Sequence, residues 1–510
     1  LIDWSYELCT DAEKLLWARL SVFTGSFDLE AAEQVCGFGE LQSDDVFDVL
    51  DRLVAKSILV IDRDGELVRY RMLMTVREYG AELLKLAGEY VTVRRRHRDH
   101  YRRNAIRTVE RWCGPGQAAA LAALRGDHSN LISALEWSVT TPGELDHGAE
   151  LAAFLRYHWI AGGFLGDGRR WLEQILTAMD PSSPQRGETL WVAAWVALIQ
   201  GDRGPAAQWL ADGEELAREN DDGRLAAHVA QWTAIHRLFS GDLSEAIALF
   251  ERSIDGHVAC GDRASQLTAL FQLAMAQTYA GRHEDALRTC ARALGLSGEC
   301  GERWTHAYSL WISGVTRWHL GDLDGAECDA RAALLLQRDF KDSICTALTI
   351  ELISWIELSR SNYERAAELV GAATAVWTAL GTTVDAFGPH LYRDSVESVN
   401  EVAKELGRKR FAELSARHEH LGKDEAIDLA LGAHRSPKAR PAKSPLTKRE
   451  REIAALIAQG MSNRAVAESL VISPRTVDGH VERILAKLDF TSRAQIAAWV
   501  ATSHTDPKSG

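Results

Sequence analysis

Long apolar runs are missing from this 510-residue chain: no stretch of about 18 uncharged apolar residues occurs, so no segment is built to span a membrane as a helix. The first residues, LIDWSYELCT, lack the basic and apolar regions of a secretion signal. Proline is scarce, 11 in all, among abundant helix formers. Eight cysteines (Cys9, Cys36, Cys113, Cys260, Cys290, Cys300, Cys328 and Cys345) are scattered with no C-x-x-C pair. That excludes the usual zinc or disulfide framework and suits free core thiols in a reducing cytosol. Catalytic signatures are missing too. There is no G-x-x-x-x-G-K-[ST] phosphate loop, G-x-S-x-G elbow, H-E-x-x-H or dinucleotide fingerprint. The expectation is no enzyme, no metal and no cofactor. His97, His100, His418 and His420 lack ligand partners at useful spacing and read as surface or satisfied histidines.

What remains is a globular composition, 46% hydrophobic and 25% charged, long enough for two to four domains. Its charge is lopsided. Ser436 to Gly510 holds twelve Lys/Arg against seven Asp/Glu, net +5, inside a chain of net −14, so the first 435 residues carry −19. A basic module on an acidic body is the pattern of a tethered nucleic-acid binder.

Residues 1–90 read as helices around one hairpin. Asp11 to Phe23, Val46 to Leu53 and Met74 to Leu86 have helical apolar spacing, while SILVID and LVRYRML flank a turn at Asp64-Gly65. Helices with a hairpin suggest a winged-helix-like module packed within the chain. VRRRHRDHYRRN, 93–104, is the strongest positive run. It reads as the solvated face of a helix whose inner stripe is Val93, His97, Tyr101 and Ile106, with a nucleic-acid patch as the alternative. Residues 91–186 continue as degenerate helical pairs.

From 187 to 381 the chain repeats with a period of 40. Gly201, Gly241, Gly281 and Gly321 are followed by Ser361 in the fifth place. Five residues later come Ala206, Ala246, Ala286, Ala326 and Ala366; twelve before each alanine lie Ala194, Ala234, Ala274, Gly314 and Ser354. Small residues on both sides of a turn let two helices cross closely. Five such hairpins stack into a solenoid. With Ala293, Ala333 and Ala373 seven residues past their repeats' alanines, the pattern resembles tetratricopeptide repeats lengthened by six residues. Such repeats line a concave face. In the repeat frame Trp191, Phe271 and Trp311 share one inner position, Trp195, Met275 and Trp355 another, and Trp318 follows one turn on. These aromatics either pack between repeats or line a groove for a protein or small-molecule effector. Residues 382–431 read as a helical cap. GAHRSPKARPAKSP, 432–445, with three prolines and no apolar period, is a linker.

Residues 446–503 hold four short helices. Thr447 and Glu450 form a capping box and Gly460 ends the first helix. Ser462 or Asn463 caps the second. Ser473 caps the third with Pro474 at its first turn, and Ser492 and Gln495 box the fourth. On the third helix Val477, Val481, Ile484, Leu485 and Leu488 share an inner face, leaving Arg475, Asp478, Gly479, Glu482, Arg483 and Ala486 outward. The outward face is what a helix-turn-helix lays in the major groove. L-T-x-R-E-R-E from Leu446, G-x-S-N-R at Gly460–Arg464, I-S-x-x-T-V-x-x-H-V at Ile472–Val481 and I-L-x-K-L at Ile484–Leu488 together resemble the LuxR-type (GerE- or NarL-like) DNA-binding domain. The resemblance implies base reading by Arg475, Thr476, Asp478, Gly479, Glu482 and Arg483. Phosphate contacts would come from Thr447, Lys448, Arg449, Arg464, Ser473, Lys487 and Arg493. At Asp478 and Glu482 the family often carries lysine. A carboxylate here either accepts from cytosine N4, or pairs with Arg475 (Asp478) or with solvent (Glu482). DWSYELCTDAEKLLWARL and RYRMLMTVREYGAELL resemble the segment that follows the ATPase in large LuxR-type regulators of the signal-transduction NTPase class. In those proteins repeats sense an effector; here the chain starts where the ATPase would end.

The expectation is therefore a mainly α chain: winged-helix module, α-solenoid of tetratricopeptide-like repeats, C-terminal four-helix helix-turn-helix. Implied partners are double-stranded DNA, bound as a homodimer, and a repeat-bound effector, with no membrane. The rival is an interaction scaffold whose helix-turn-helix does not touch DNA.

Overall fold

The computed structural model describes residues 2–64, 67–432, 448–458, 461, 466–467, 470 and 474–488. They fall into two compact units, Leu1–Ala433 and His434–Gly510. Among the described residues no helix is long and apolar enough to cross a membrane.

The first unit opens with α1 (Ile2–Glu7), α2 (Asp11–Leu20), α3 (Leu29–Cys36) and α4 (Ser43–Ala55), then the hairpin β1 (Leu59–Asp64) and β2 (Leu67–Met72), then α5 (Met74–Leu86). Thr10 and Glu13 start α2 with a reciprocal capping box. The strands pair antiparallel from Leu59↔Met72 to Asp64↔Leu67. The expected turn glycine, Gly65, lies outside the described residues. Phe27 adds a bridge to Tyr70, its N–H donating at 2.9 Å and its carbonyl accepting at 2.7 Å. Arg69 of β2 is not offered to solvent. It donates to the Ser26 hydroxyl and carbonyl and to Asp127 at 2.5 Å, which ties the hairpin back to later helices.

Five helices and a short turn of helix follow: α6 (Tyr90–Glu110), α7 (Gln117–Gly126), α8 (His128–Thr140), α9 (Leu145–Phe154), α10 (Arg156–Ile160) and α11 (Leu165–Ala178). The basic run on α6 is not a solvated face. Val93, His97 and Tyr101 are buried as the spacing predicts, but Arg98 and His100 are buried too. Arg98 donates to Glu144 at 2.9 Å, Arg95 donates to the same carboxylate at 2.8 Å, Arg94 donates to Ser133, and Arg96 donates to the carbonyls of Gln34, Val35 and Gly37. These arginines staple α6 to its neighbours, because a buried guanidinium is tolerated only when its donors are matched. Reading His97 as a surface or satisfied histidine was therefore incorrect, whereas His100, though buried, is satisfied by Asn104, whose Nδ2 lies 3.1 Å from its Nε2. His97 is fully buried between the Phe23 and Tyr101 rings, and neither of its nitrogens has a partner.

The repeats are five antiparallel helix pairs: α12 (Arg186–Ile199) with α13 (Arg203–Glu219), α14 (Gly223–Ser240) with α15 (Leu243–Ala259), α16 (Arg263–Tyr279) with α17 (His283–Cys300), α18 (Trp304–His319) with α19 (Leu323–Gln337), and α20 (Ser343–Ser359) with α21 (Tyr363–Leu380). Each within-pair turn needs one left-handed residue. Gly201, Gly241, Gly281 and Gly321 have φ of 78°, 91°, 74° and 77°, and Ser361 adopts 63°. The next residue's N–H then donates back to the carbonyl five positions earlier, at 2.8–2.9 Å in all five turns. The small residues meet where expected. A methyl on Gly314 would sit 2.9 Å from Leu352 and 3.2 Å from the Ala326 carbonyl.

The inner helices are covered on all sides. Every residue from Gln266 to Thr278 in α16 and from Ile344 to Ile356 in α20 is buried, whereas an open spiral would leave its concave side wet. The coil closes on the segment between α6 and α7. Trp112 stacks on Tyr157 at 3.7 Å and meets the edge of Trp304 at 5.9 Å. Gln117 donates to Glu302 at 2.6 Å and accepts from the Arg303 N–H at 2.8 Å. Beside it the Cys113 and Cys300 sulfurs lie 2.8 Å apart. Only four cysteines are buried core thiols; Cys260 and Cys328 are exposed. A 3-10 turn (Val384–Phe387), α22 (Pro389–Leu406), α23 (Arg408–Ala416) and α24 (Lys423–Ala430) complete the unit.

Candidate nucleic-acid interface and repeat cavity

In the second unit α25 (Lys448–Ala458) packs against the helix Pro474–Leu488. Val477, Val481 and Ile484, at helical spacing, are buried against Ile453, Ala454, Ile457, Val466 and Ala467, with Leu485 partly buried beside them. Burying that stripe fixes the rotation of the helix Pro474–Leu488. Positions 475, 478, 479, 482 and 483 therefore lie on its other side. Gly479 is open on that side: a methyl built on it meets nothing within 4 Å.

Three of the expected donors have described side chains, and each has a protein partner. Arg483 donates to the Gly479 carbonyl at 2.9 Å. Arg449 donates to Glu452 at 2.9 Å and to the Leu470 carbonyl at 3.0 Å. Lys487 donates to both oxygens of the buried Glu450 at 2.8 and 2.9 Å, clamping the reading helix to α25. The backbones of Lys448, Arg475, Thr476, Asp478 and Glu482 are helical. Thr447, Arg464, Ser473 and Arg493 lie outside the described residues, as do the proposed caps Ser462 and Asn463, the linker from 433 onward and the fourth helix.

The aromatic candidates separate into groups. Trp195, Phe271 and Trp311 line one narrow apolar cavity with Trp232, Trp304 and Tyr308. Trp195 stacks on Trp232 at 4.4 Å and Phe271 on Tyr308 at 4.8 Å. Trp304 Nε1 and the Tyr308 hydroxyl both donate to buried Asp342, at 2.6 and 2.9 Å, and burial raises that carboxyl above its ordinary range. Gln272 and Thr268 bring polar atoms to the same wall, and Phe387 of the 3-10 turn lies across it. Trp191 stands behind that wall, stacked on His228 at 4.1 Å and, at longer range, on Trp195 and Trp232. Trp318 and Trp355 form a third group, 5.2 Å apart, with Trp318 donating to Ser359.

Residues 444–500 match the family described as bacterial regulatory proteins, luxR family, and residues 8–85 match a winged helix-turn-helix domain. An HTH-type transcriptional regulator of Mycobacterium bovis is 24% identical over a 656-residue alignment covering 97% of this chain and 74% of that protein. The chain is a transcriptional regulator with a LuxR-type helix-turn-helix. The regulator's last segment is also similar to the Bacillus subtilis transcriptional regulatory protein LiaR, 44% identical over 71 residues, which is 14% of this chain and 33% of LiaR. Among solved structures, a signal transduction ATPase with numerous domains and a tetratricopeptide repeat sensor, from Pyrococcus horikoshii, aligns at 15% identity and TM-score 0.42, over 81% of this chain and 66% of that one.

Sequence reasoning missed Trp232, Trp304 and Tyr308 in the regulator's cavity. A signal existed for Tyr308: it stands forty residues after the cavity residue Thr268. Trp304 carried the same signal, standing forty residues before the cavity residue Ile344.

Proposed function

We propose that the regulator binds double-stranded DNA through the helix Pro474–Leu488, and that its repeat unit senses an effector or partner. The observation that supports the DNA reading is the burial of Val477, Val481 and Ile484, which leaves the opposite face of the helix for base edges, to be read by Arg475, Thr476, Asp478, Gly479, Glu482 and Arg483. Thr447, Lys448, Arg449, Arg464, Ser473 and Arg493 supply the rim of phosphate donors, while Lys487, held by Glu450, braces the helix that reads. Two copies on half-sites one helical turn apart match how such modules read DNA. The aromatic cavity supports the sensing reading: an apolar wall of Trp195, Trp232, Phe271 and Trp311 carries a few polar groups from Thr268 and Gln272, the composition of a small-molecule site.

The test is promoter binding by the whole chain across a salt series. Each neutralised phosphate steepens the fall of log affinity with log salt by about 0.9. Binding that ignores salt and sequence selects the scaffold, a reading favoured by the internal partners of Arg449, Arg483 and Lys487. Asp478→Lys separates the two roles of that acid. Uniform tightening without altered site preference shows that it does not read a base; a changed preference shows that it does.

A further inference from the structure

Three metal-ligating side chains converge inside the second and third repeats. His228 stands on α14, His257 near the end of α15, and Asp262 at the cap of α16. One donor atom from each lies within 4.8 Å of the others. Both imidazoles are 0% exposed. Nδ1 of His228 and Nδ1 of His257 have no hydrogen-bond partner, and His228 Nε2 meets only Asp262 Oδ2, at 3.4 Å. Orphaned nitrogens are costly in a packed interior, and two in one place call for an explanation.

The surroundings hold the three groups as ligands are held. His257 Nε2 is 2.8 Å from Gln231 Oε1, whose own amide donates to Gln272 Oε1 at 2.8 Å. A proton on Nε2 leaves the Nδ1 lone pair free, the outer hydrogen bond that metal-bound histidines commonly make. Asp262 Oδ1 accepts from the Ser265 N–H at 3.0 Å, so its Oδ2 remains, 3.4 Å from His228 Nε2. The Asp262 N–H donates to the His257 carbonyl at 2.9 Å across Gly261, so the turn itself joins two of the three residues. Trp191 lies flat on His228, with ring planes 2° apart. The nearby cations Arg156 and Arg224 are both directed to Glu188, at 3.1 and 2.9 Å. Nor does repeat packing require these histidines. Forty residues away, His228 is replaced by Glu188 and Thr268, and His257 by Ala217 and Ser297.

We propose that His228, His257 and Asp262 form a binding site for a divalent metal of the zinc class, with a fourth position for water. Two imidazoles and one carboxylate are a borderline donor set suited to zinc or cobalt. Bonds of about 2.0–2.2 Å draw the donors closer together than they now stand, and Asp262, the partly exposed member, is free to turn inward. Occupancy clamps α14, α15 and α16 together and stiffens the second and third repeats. The proposal stands whether or not the regulator binds DNA.

The test is a cobalt(II) titration of the untagged, chelator-stripped whole chain. The expected result is visible d–d absorption that saturates at one equivalent and is bleached by zinc, with a rise in Tm on zinc addition. The double variant His257→Gln, Asp262→Asn keeps the shapes and the cap, and it loses the one-equivalent signal while retaining its far-ultraviolet circular dichroism. A stripped wild-type chain that shows no cobalt bands and no zinc-dependent Tm overturns the proposal, as does equal cobalt binding by the double variant. The cluster is then a plain His228–Asp262 ion pair. If the double variant does not fold, the wild-type titration with zinc competition decides.

Discussion

Gly479→Ala separates folding from DNA binding at the reading helix. In the free protein the new methyl meets nothing within 4 Å, and the residue sits inside a helix with ordinary φ. Glycine in a helix interior is about 1 kcal/mol worse than alanine, so the variant stabilises the C-terminal unit by about that amount. In a domain this small, 1 kcal/mol corresponds to roughly 4–8 °C in Tm. Against DNA the sign reverses. If position 479 lies at the closest approach to base edges, a methyl there forces the helix outward. Overpacking of that kind costs about 1–3 kcal/mol, or roughly 5- to 150-fold in Kd. Hydrogen exchange across residues 474–488 reads the first effect, and promoter binding by the whole chain at fixed salt reads the second. A variant that gains protection and binds DNA as well as the wild type refutes the placement of this face in the groove.

Three other outcomes follow from the geometry. Burial raises Glu351 to about 7, with Trp377 Nε1 donating to it at 2.6 Å. The folded state therefore holds this proton more tightly than the unfolded chain. Its stabilising effect is full below the ordinary glutamate range and is lost as pH climbs toward 7, by at most about 3 kcal/mol; urea midpoints at pH 5 and 8 should diverge in the wild type and converge in Glu351→Gln. Lys487→Ala removes the ammonium from buried Glu450 and should destabilise the C-terminal unit by about 1–3 kcal/mol, while lowering the salt slope by well under the 0.9 expected of a true phosphate contact; a full-unit drop would mean Lys487 leaves Glu450 for DNA. A hydroperoxide should join Cys113 to Cys300, faster as pH rises because burial pushes the Cys113 thiol up to about 12; non-reduced peptide maps showing only Cys260 or Cys328 products would contradict the contact.

Much of the fold was legible because local chemistry decides it. The hairpin, α5 and the forty-residue spacing of Gly201, Gly241, Gly281 and Gly321 follow from turn and helix rules acting within a few residues. The inner stripe Val477, Val481, Ile484 was equally local. The failures depend on contacts between distant segments. Nothing in VRRRHRDHYRRN says that Glu144 will claim Arg95 and Arg98. Likewise His228, His257 and Asp262 are 29 and 5 residues apart along the chain, spacings that match no ligand motif. They meet because successive helix pairs are stacked.

The Gln117 clasp on Glu302 and Arg303 changes what kind of object the first unit is. A linear array of repeats can fray from one end, and its members can be added or deleted like beads. Between residues 186 positions apart, the first three repeats are fastened at both ends. That stretch should melt in one step, and it should reject a forty-residue pair inserted or deleted within it, since either change would carry the clasp's two halves out of reach of each other.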